Sequence, residues 1–181
     1  MHQFVIVTGR PGVGKTTLVM RVLEKLRKEN ISFVGFYCPE VRVGRQRIGF
    51  HIRSIDGSIS GWLARVNGCD GPSVGRYNTC REAESVASAA LRGFEKADLV
   101  VIDEIGPMEL KLIGIRRQII NVINSTKPGL FVVHYRLRDP EVLRPLKARG
   151  LWFEVTIDNR DLIIEDVYNA VLDAIKSMKR S

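Results

Sequence analysis

The chain has 181 residues, of which 45% are hydrophobic and 27% are charged. This length and composition are typical of one folded domain, and we predict a single domain over residues 1–181. The longest apolar runs, at residues 4–7 and 99–102, are far shorter than the roughly 20 residues of a membrane-spanning helix, which excludes a membrane protein. The strand pattern begins within a few residues of Met1, so we expect no signal peptide and a cytoplasmic location. We also expect a monomer.

Lysine and arginine total 28 against 20 acidic residues, which gives a formal net charge of +8. This surplus fits a nucleic-acid partner, a smaller polyanionic ligand, or simply a charged surface that keeps the protein dissolved. The basic residues form only small groups, at residues 42–53 and 136–149, without an arginine–glycine repeat or an aromatic RNA-binding signature. A nucleic-acid partner therefore stays a weakly supported alternative.

Hydrophobic patterns along the chain predict an alternation of strands and helices. Continuous apolar runs indicate buried strands, and apolar residues at helical spacing indicate amphipathic helices. The predicted strands, in chain order, are residues 4–7, 33–37, 40–43, 47–55, 99–102, 130–134 and 151–157. The predicted helices are residues 17–30, 81–96, 113–124, 139–150 and 162–178.

One segment interrupts this alternation. Gly44-Arg45 and Asp56-Gly57 are turn sequences on either side of residues 47–55, and they predict an antiparallel hairpin. The glycine- and serine-bearing residues 57–75 predict a loop with a short helix at residues 61–66. The whole pattern predicts an α/β fold of three layers, with a doubly wound, mainly parallel sheet and an antiparallel hairpin insertion.

The three cysteines, Cys38, Cys69 and Cys80, are an odd number without a C-x-x-C pair. This spacing argues against a zinc site and against a disulfide framework. We therefore expect three free thiols in a reducing compartment.

A phosphate-binding loop is predicted directly after the first strand. Residues 9–16 match G-x-x-x-x-G-K-[ST] in full: Gly9, Arg10, Pro11, Gly12, Val13, Gly14, Lys15 and Thr16. Such a loop turns its backbone N–H groups toward a triphosphate, and the following helix, which begins near Thr17, points its positive end at the phosphates. Lys15 would bind the β- and γ-phosphates and the Thr16 hydroxyl would bind Mg²⁺. The motif predicts a nucleoside triphosphate bound with magnesium.

Two carboxylates follow the buried residues 99–102, in the Walker B pattern. Asp103 is predicted to organise the magnesium ion, and Glu104 is placed to polarise the attacking water. A nucleotide kinase does not need such a glutamate, because its acceptor is a second substrate. The alternative for Glu104 is the start of a solvated loop. His134 ends the fourth buried strand, where it either contacts the γ-phosphate or water, or only caps the strand.

Residues 103–106 also fit the D-x-x-G of switch GTPases, but no N-K-x-D guanine motif occurs anywhere in the chain. A dedicated guanine switch is therefore not expected, and the base selectivity is predicted to be loose.

Several blocks together resemble the THEP-type nucleoside-triphosphatases, whose vertebrate member is called cancer-related NTPase. The resemblance covers nearly the whole chain and is most specific in the G-F-Y-x-x-E-V-R block at residues 35–42 and the D-E-I-G-x-M-E-L block at residues 103–110. It departs at residues 111–115 and at Cys38-Pro39, where the family usually has other residues. Neither departure affects a predicted phosphate or metal ligand.

The resemblance implies slow, magnesium-dependent hydrolysis of ATP, GTP and other ribo- and deoxyribonucleoside triphosphates to diphosphate and phosphate. It implies a RecA-like sheet in which an added strand separates the P-loop strand from the Walker B strand. It also places Asn159 and Arg160 near the nucleotide base, where a guanidinium would stack on any base without reading its edge.

Two other functions stay open from the sequence: a nucleotide or small-molecule kinase, with residues 136–149 as an arginine-bearing lid, and a nucleic-acid-binding module regulated by nucleotide. Glu40 is a candidate support for the water or for an arginine. The pattern does not select the arginine that compensates transition-state charge, and the candidates are Arg10, Arg42, Arg47, Arg76 and Arg136.

Overall fold

Strands and helices alternate through most of the chain, and the strands form one mixed sheet. The computed structural model describes residues 1–180, and among them are ten strands. These are β1 (Phe4–Thr8), β2 (Phe33–Tyr37), β3 (Glu40–Val43), β4 (Gln46–Ser54), β5 (Ser60–Arg65), β6 (Ser73–Val74), β7 (Tyr77–Thr79), β8 (Leu99–Ile105), β9 (Gly129–Val133) and β10 (Gly150–Glu154). The helices are α1 (Lys15–Lys28), α2 (Glu82–Ala90), α3 (Pro107–Lys111), α4 (Ile113–Asn124), α5 (Pro140–Arg149) and α6 (Ile164–Lys179).

The parallel half of the sheet has the order β10-β1-β9-β8-β2. Strand β9 lies between the P-loop strand β1 and the Walker B strand β8, so the expected RecA-like arrangement is confirmed. Because these strands are parallel, their carboxyl ends meet along one edge, where ligands bind in open α/β sheets.

Helices cover both faces of the parallel strands, which is why those strands are apolar without alternation. On one face, β-strand residues such as Phe4 and Phe131, whose ring centroids are 5.2 Å apart, pack with residues of α2, α4 and α5. On the other face, residues of α1 and α6 complete a second buried cluster. None of the helices among residues 1–180 has the length and apolar content that crossing a bilayer requires.

The antiparallel part of the sheet is larger than the predicted hairpin. Beyond β2 it continues β4-β5-β7-β6, with β3 paired to β4. The short helix predicted at residues 61–66 is wrong, because this segment is strand β5. Its residues pair with β4, and Leu63 and Ala64 are buried. Six residues are too few for periodicity to separate helix from strand, so the pairing with β4 decides the conformation.

Two helical segments also differ from the prediction. The helix predicted over residues 81–96 ends at Ala90, and Gly93 (φ 71°) leads into a short 3₁₀ turn, Phe94–Lys96. Leu91 and Phe94 continue the apolar pattern into the core although the helix has ended, which explains the error. Helix α3 begins at Pro107 and was not predicted. The remaining boundaries agree with prediction within a few residues.

The expectation of three free thiols is wrong for two of them. Cys69 and Cys80 form a disulfide, with Cα atoms 5.0 Å apart, and Cys38 is free. The two cysteines meet because the segment between them folds back: Gly71 N–H donates to the Thr79 carbonyl (2.9 Å) at the end of β7. The two cysteines are only 11 residues apart, but their meeting depends on this fold-back, which cysteine spacing does not show.

The disulfide predicts the thiol count of the protein. Unfolded without reductant, the chain should show one reactive thiol, from Cys38, and after reduction it should show three. The control variant Cys38→Ser should show none before reduction. Three reactive thiols in the unreduced wild-type protein would contradict the pairing.

A second prediction concerns the packing of β2 on β8. Gly35 has φ +144°, and a Cβ at this position would lie 1.7 Å from the Val101 carbonyl oxygen. We expect Gly35→Ala to lower the free energy of unfolding by about 3 kcal/mol or more, since backbone strain adds to a steric clash. Gly44→Ala is the control, because Gly44 (φ +59°) has open space around it and should lose only about 1 kcal/mol. Urea unfolding measures both, and equal losses would refute the clash.

Candidate active site

The P-loop joins the carboxyl end of β1 to the amino end of α1. Its glycines have positive φ angles, 149° at Gly9, 79° at Gly12 and 108° at Gly14, which turn the backbone N–H groups inward. A Cβ on Gly9 would lie 2.5 Å from the Val155 carbonyl oxygen, so the loop needs glycine there. The sequence therefore forms a concave nest at the positive end of a helix.

Lys15 lies across this nest. Its Nζ donates to the carbonyl oxygens of Gly9 (2.8 Å) and Arg10 (2.9 Å). Burial lowers the pKa of Lys15, and the nearby carboxylates Glu104 and Asp103 oppose that shift. The ammonium group is thus held over the loop and faces two acidic side chains, which is suitable for neutralising bound phosphates.

A hydrogen bond joins the P-loop to the acidic end of β8. Thr16 Oγ1 donates to Asp103 Oδ2 at 2.7 Å. Asp103 is buried (6% exposed), and this burial raises its pKa to about 6, against the opposing effects of Thr16 and Lys15. One hydroxyl and one carboxylate therefore meet at a position where they would share a divalent cation with phosphate oxygens.

Glu104 follows Asp103 through a cis peptide bond and interrupts the register between β8 and β9. Asp103 pairs with Val132 and Ile105 with Val133, so Glu104 is an extra residue in β8. Such bulges re-aim a side chain next to many active sites. Burial, and then the Asp103 charge, raise the pKa of Glu104 to about 7, while Lys15 lowers it. Near neutral pH this carboxyl group can accept a proton and release it again.

His134 directly follows β9, the strand between the P-loop strand and the Walker B strand. Its Nδ1 accepts a hydrogen bond from the backbone N–H of Arg136 (3.2 Å), so the neutral ring carries its proton on Nε2. Burial lowers the pKa of His134, and the charges of Lys15 and Arg136 lower it further. A neutral imidazole that lines the cleft can donate one hydrogen bond to a phosphate or to water.

These groups line one cleft of about 670 Å³. The P-loop, Asp103, Glu104 and His134 form one wall, and residues of the antiparallel strands form the other. The opposite wall is lined by Glu40, Arg47, Phe50 and Val74. The cleft therefore lies between the parallel and antiparallel parts of the sheet.

Sequence reasoning gave no role to two features of the cleft. Glu109 of α3 is buried (4% exposed) and accepts a hydrogen bond from the Cys38 thiol. Burial and the nearby Glu104 raise its pKa well above the usual range. The second feature is the surroundings of Arg47: Glu40 was a separate candidate, and Phe50 and Tyr77 had no predicted role. The D-E-I-G-x-M-E-L block contains Glu109, but a motif does not show that a carboxyl group is buried.

The two residues implied near the base differ in their placement. A smaller pocket of about 260 Å³ beside the P-loop is lined by Gly14, Thr17 and Arg160 among others. The Asn159 side chain instead holds its own loop: Oδ1 accepts from the Thr156 N–H (2.8 Å) and Nδ2 donates to the Glu154 carbonyl (2.9 Å). Arg160 thus faces a pocket, whereas Asn159 fixes the backbone that carries it.

Other predicted ligands of the phosphates also differ in their surroundings. Pro11, like the P-loop glycines, lines the main cleft, whereas Val13 is buried in the core beneath it. Arg10 is exposed and does not line the cleft; its contribution is the backbone carbonyl that Lys15 contacts.

Comparison with known proteins shows the family of the chain. A family profile described as NTPase matches residues 4–168. Nucleoside-triphosphatase THEP1 of Hyperthermus butylicus is 60% identical over 99% of this chain and 96% of its own length. The corresponding THEP1 of Ignicoccus hospitalis is 44% identical over 94% of this chain and 95% of its own length.

Solved structures of nucleoside-triphosphatases also resemble this chain. The crystal structure of THEP1 from the hyperthermophile Aquifex aeolicus superposes with a TM-score of 0.80 at 30% identity, over 93% of this chain and 98% of that one. The solution structure of a human cancer-related nucleoside triphosphatase gives a TM-score of 0.74 at 32% identity, over 93% and 97% of the two chains. The chain belongs to the THEP1 family of nucleoside-triphosphatases.

Proposed function

We propose that this chain hydrolyses ATP, GTP and other nucleoside and deoxynucleoside triphosphates to the diphosphate and phosphate, with Mg²⁺ and little selectivity for the base. The observation that carries the proposal is the position of Glu104. This carboxyl group lines the same cleft as Lys15 and the Thr16–Asp103 pair, and its pKa is raised to about 7. The cleft therefore combines a phosphate cradle with a group that takes a proton from water.

The phosphates would be held by the P-loop backbone N–H groups and by Lys15. The Lys15 ammonium donates hydrogen bonds to two carbonyl oxygens of its own loop. It can exchange these for phosphate oxygens over a short distance, because a lysine is a mobile point charge on a flexible stem. Lys15 would thus neutralise charge on the β- and γ-phosphates.

The Thr16 hydroxyl and the Asp103 carboxylate fit a magnesium ion. Both are hard oxygen donors, and Mg²⁺ usually binds through one or two such groups together with substrate phosphates and waters. Among residues 1–180 no cluster of three or more His, Cys, Asp or Glu side chains forms a closed metal site, so the phosphates would complete the ligand set. Bound there, the ion supplies positive charge to the phosphate oxygens.

Glu104 would act on the attacking water. The water oxygen bonds to the γ-phosphorus, and its proton passes to the Glu104 carboxylate. The bond from the γ-phosphorus to the bridging oxygen breaks, and that oxygen leaves with the electron pair as part of the diphosphate. His134 Nε2–H lines the same cleft and can donate a hydrogen bond to the γ-phosphate or to the water.

Loose base selectivity is supported by the pocket beside Thr17. Arg160 faces this pocket, and a guanidinium plane stacks on purines and pyrimidines alike. The absence of an N-K-x-D motif leaves no dedicated guanine reader in the sequence. Both observations favour a range of nucleotides over one.

A kinase is supported less well. Its acceptor would need a mobile lid, and residues 136–149 were the candidate. Instead, Asp139 caps α5 by accepting from the N–H groups of Glu141 and Val142, and Arg116 forms ion pairs with Asp139 and Glu141. An anchored helix at this position favours water as the acceptor.

The role of Glu104 predicts a specific loss of turnover. Glu104→Gln keeps the size of the side chain but removes the proton acceptor, so kcat should fall by about 100-fold or more. The affinity for a triphosphate should stay within about threefold, because the amide leaves the phosphate cradle intact. Phosphate release and equilibrium binding measure these effects. The exposed Glu95→Gln is the matched control and should behave as wild type. Wild-type turnover of Glu104→Gln would show that another group activates the water.

The magnesium ligands predict a second pair of variants. Thr16→Ala removes the hydroxyl that contacts Asp103, so half-maximal hydrolysis should require about tenfold more Mg²⁺ or higher. Thr16→Ser keeps the hydroxyl and should retain nearly wild-type magnesium dependence. Chelation of divalent ions should abolish hydrolysis by the wild type. Identical magnesium titrations for Thr16→Ala and Thr16→Ser would remove Thr16 from the metal site.

A further inference from the structure

The cleft wall opposite the P-loop carries a single arginine side chain. Of the five arginines that the sequence offered for the transition state, Arg47 alone is among the cleft-lining residues. Arg42 pairs with Glu40 and with the Arg45 carbonyl, and its own side chain does not line the cleft. Arg136 lies over the Tyr135 ring, with 5.0 Å from its guanidinium carbon to the ring centroid.

The Arg47 guanidinium is held on several sides. Nε donates to the Tyr77 hydroxyl (3.0 Å), and Nη1 donates to Glu40 Oε2 (3.2 Å). The guanidinium carbon lies 5.2 Å from the centroid of the Phe50 ring and 5.9 Å from that of Tyr77. No hydrogen bond of Nη2 is found within residues 1–180. The guanidinium group is therefore fixed in place, and its Nη2 can still donate hydrogen bonds.

Tyr77, which accepts the hydrogen bond from Arg47 Nε, is itself held in place. Tyr77 is 7% exposed, and its hydroxyl also accepts from Arg76 Nη2 (3.1 Å). Arg76 Nη2 donates in addition to the Arg47 carbonyl (2.7 Å). Tyr77 begins β7, and the Cys69–Cys80 disulfide closes the segment that carries this hairpin. The antiparallel extension thus presents Arg47 on a rigid support.

The charge balance of this wall suits an anion. Within residues 1–180, Glu40 is the only acidic side chain that pairs with Arg47, and it is shared with Arg42. Because this one carboxylate is divided between two guanidinium groups, it neutralises Arg47 only in part. Nη2 of Arg47 therefore remains available to an anion in the cleft that Arg47 lines.

We propose that Arg47 is a catalytic residue, whose guanidinium contacts the γ-phosphate oxygens as charge builds up on them in the transition state. Tyr77 and Glu40 are its positioning residues. The proposal rests on the proposed hydrolysis. A guanidinium supplied within the chain stabilises the oxygens without moving a proton, and arginines in this role contribute about 10³ to 10⁵ in kcat in other P-loop enzymes.

The test compares Arg47→Ala and Arg47→Lys with Arg42→Ala. Arg42 is the matched control. It lies opposite Arg47 in the β3–β4 pair and shares the partner Glu40, but it does not line the cleft. Arg47→Ala should lose about 100-fold or more in kcat, while the affinity for ADP stays within about threefold. Arg47→Lys should also lose most of the turnover, because a point charge does not reproduce the planar fork. Arg42→Ala should keep wild-type kcat.

Two further measurements separate a catalytic role from a structural one. Wild type and Arg42→Ala should trap ADP with aluminium fluoride, a mimic of the transferring phosphoryl group, and Arg47→Ala should not. Free guanidinium ion at millimolar concentration should restore part of the kcat of Arg47→Ala but not of Arg47→Lys. Tyr77→Phe keeps the ring and should lose about tenfold in kcat with unchanged ADP affinity, since it removes one hydrogen bond to a charged group.

The outcomes distinguish a failure of the role of Arg47 from a failure of the proposed hydrolysis. Wild-type kcat and trapping in both Arg47 variants, with turnover still lost in Glu104→Gln, would overturn the role of Arg47 alone. Absence of phosphate release by the wild type would overturn the hydrolysis itself. If Arg47→Ala does not fold, as judged by its circular dichroism, Arg47→Lys and Tyr77→Phe decide the question.

Discussion

The hydrogen bond from Thr16 to Asp103 connects the two halves of the proposed catalytic machinery. These residues are 87 positions apart in sequence and come from β8 and from the helix after β1, with β9 lying between those strands. Their meeting depends on three parallel strands ending at one edge of the sheet. Lys15 and Glu104 line the same cleft as this pair. The buried strands, the P-loop turn and the bulge at Glu104 together position these four side chains.

The parallel half of the fold was predictable because its signals are local. Runs such as residues 4–7 and 99–102 are apolar throughout, as strands covered on both faces must be, and the added strand β9 was expected from the resemblance. The antiparallel extension was not predictable, because its strands are short and their conformation depends on pairing with one another. Strand β5 is six residues long, and Cys69 and Cys80 are brought together where the chain folds back through β6 and β7. Strand pairing of this kind leaves little trace in spacing or periodicity.

The site divides in the same way. The motifs predicted that Lys15, Thr16, Asp103 and Glu104 lie close together, and all four line one cleft. The choice of Arg47 among five arginines depends on which side chain faces the cleft, and the burial of Glu109 depends on a short helix that pattern alone does not reveal. Asn159 is the opposite case. The resemblance placed it near the base, but its side chain forms hydrogen bonds within its own loop.

The central claim is that water, and not a second substrate, accepts the γ-phosphate. The most direct measurement is phosphate release from a panel of ribo- and deoxyribonucleoside triphosphates with Mg²⁺, with and without nucleoside, nucleoside monophosphate and small alcohol acceptors. We predict release of one phosphate per triphosphate consumed for both purines and pyrimidines, with rates that acceptors leave unchanged. Transfer to any acceptor faster than release of phosphate would contradict the account and identify the protein as a kinase.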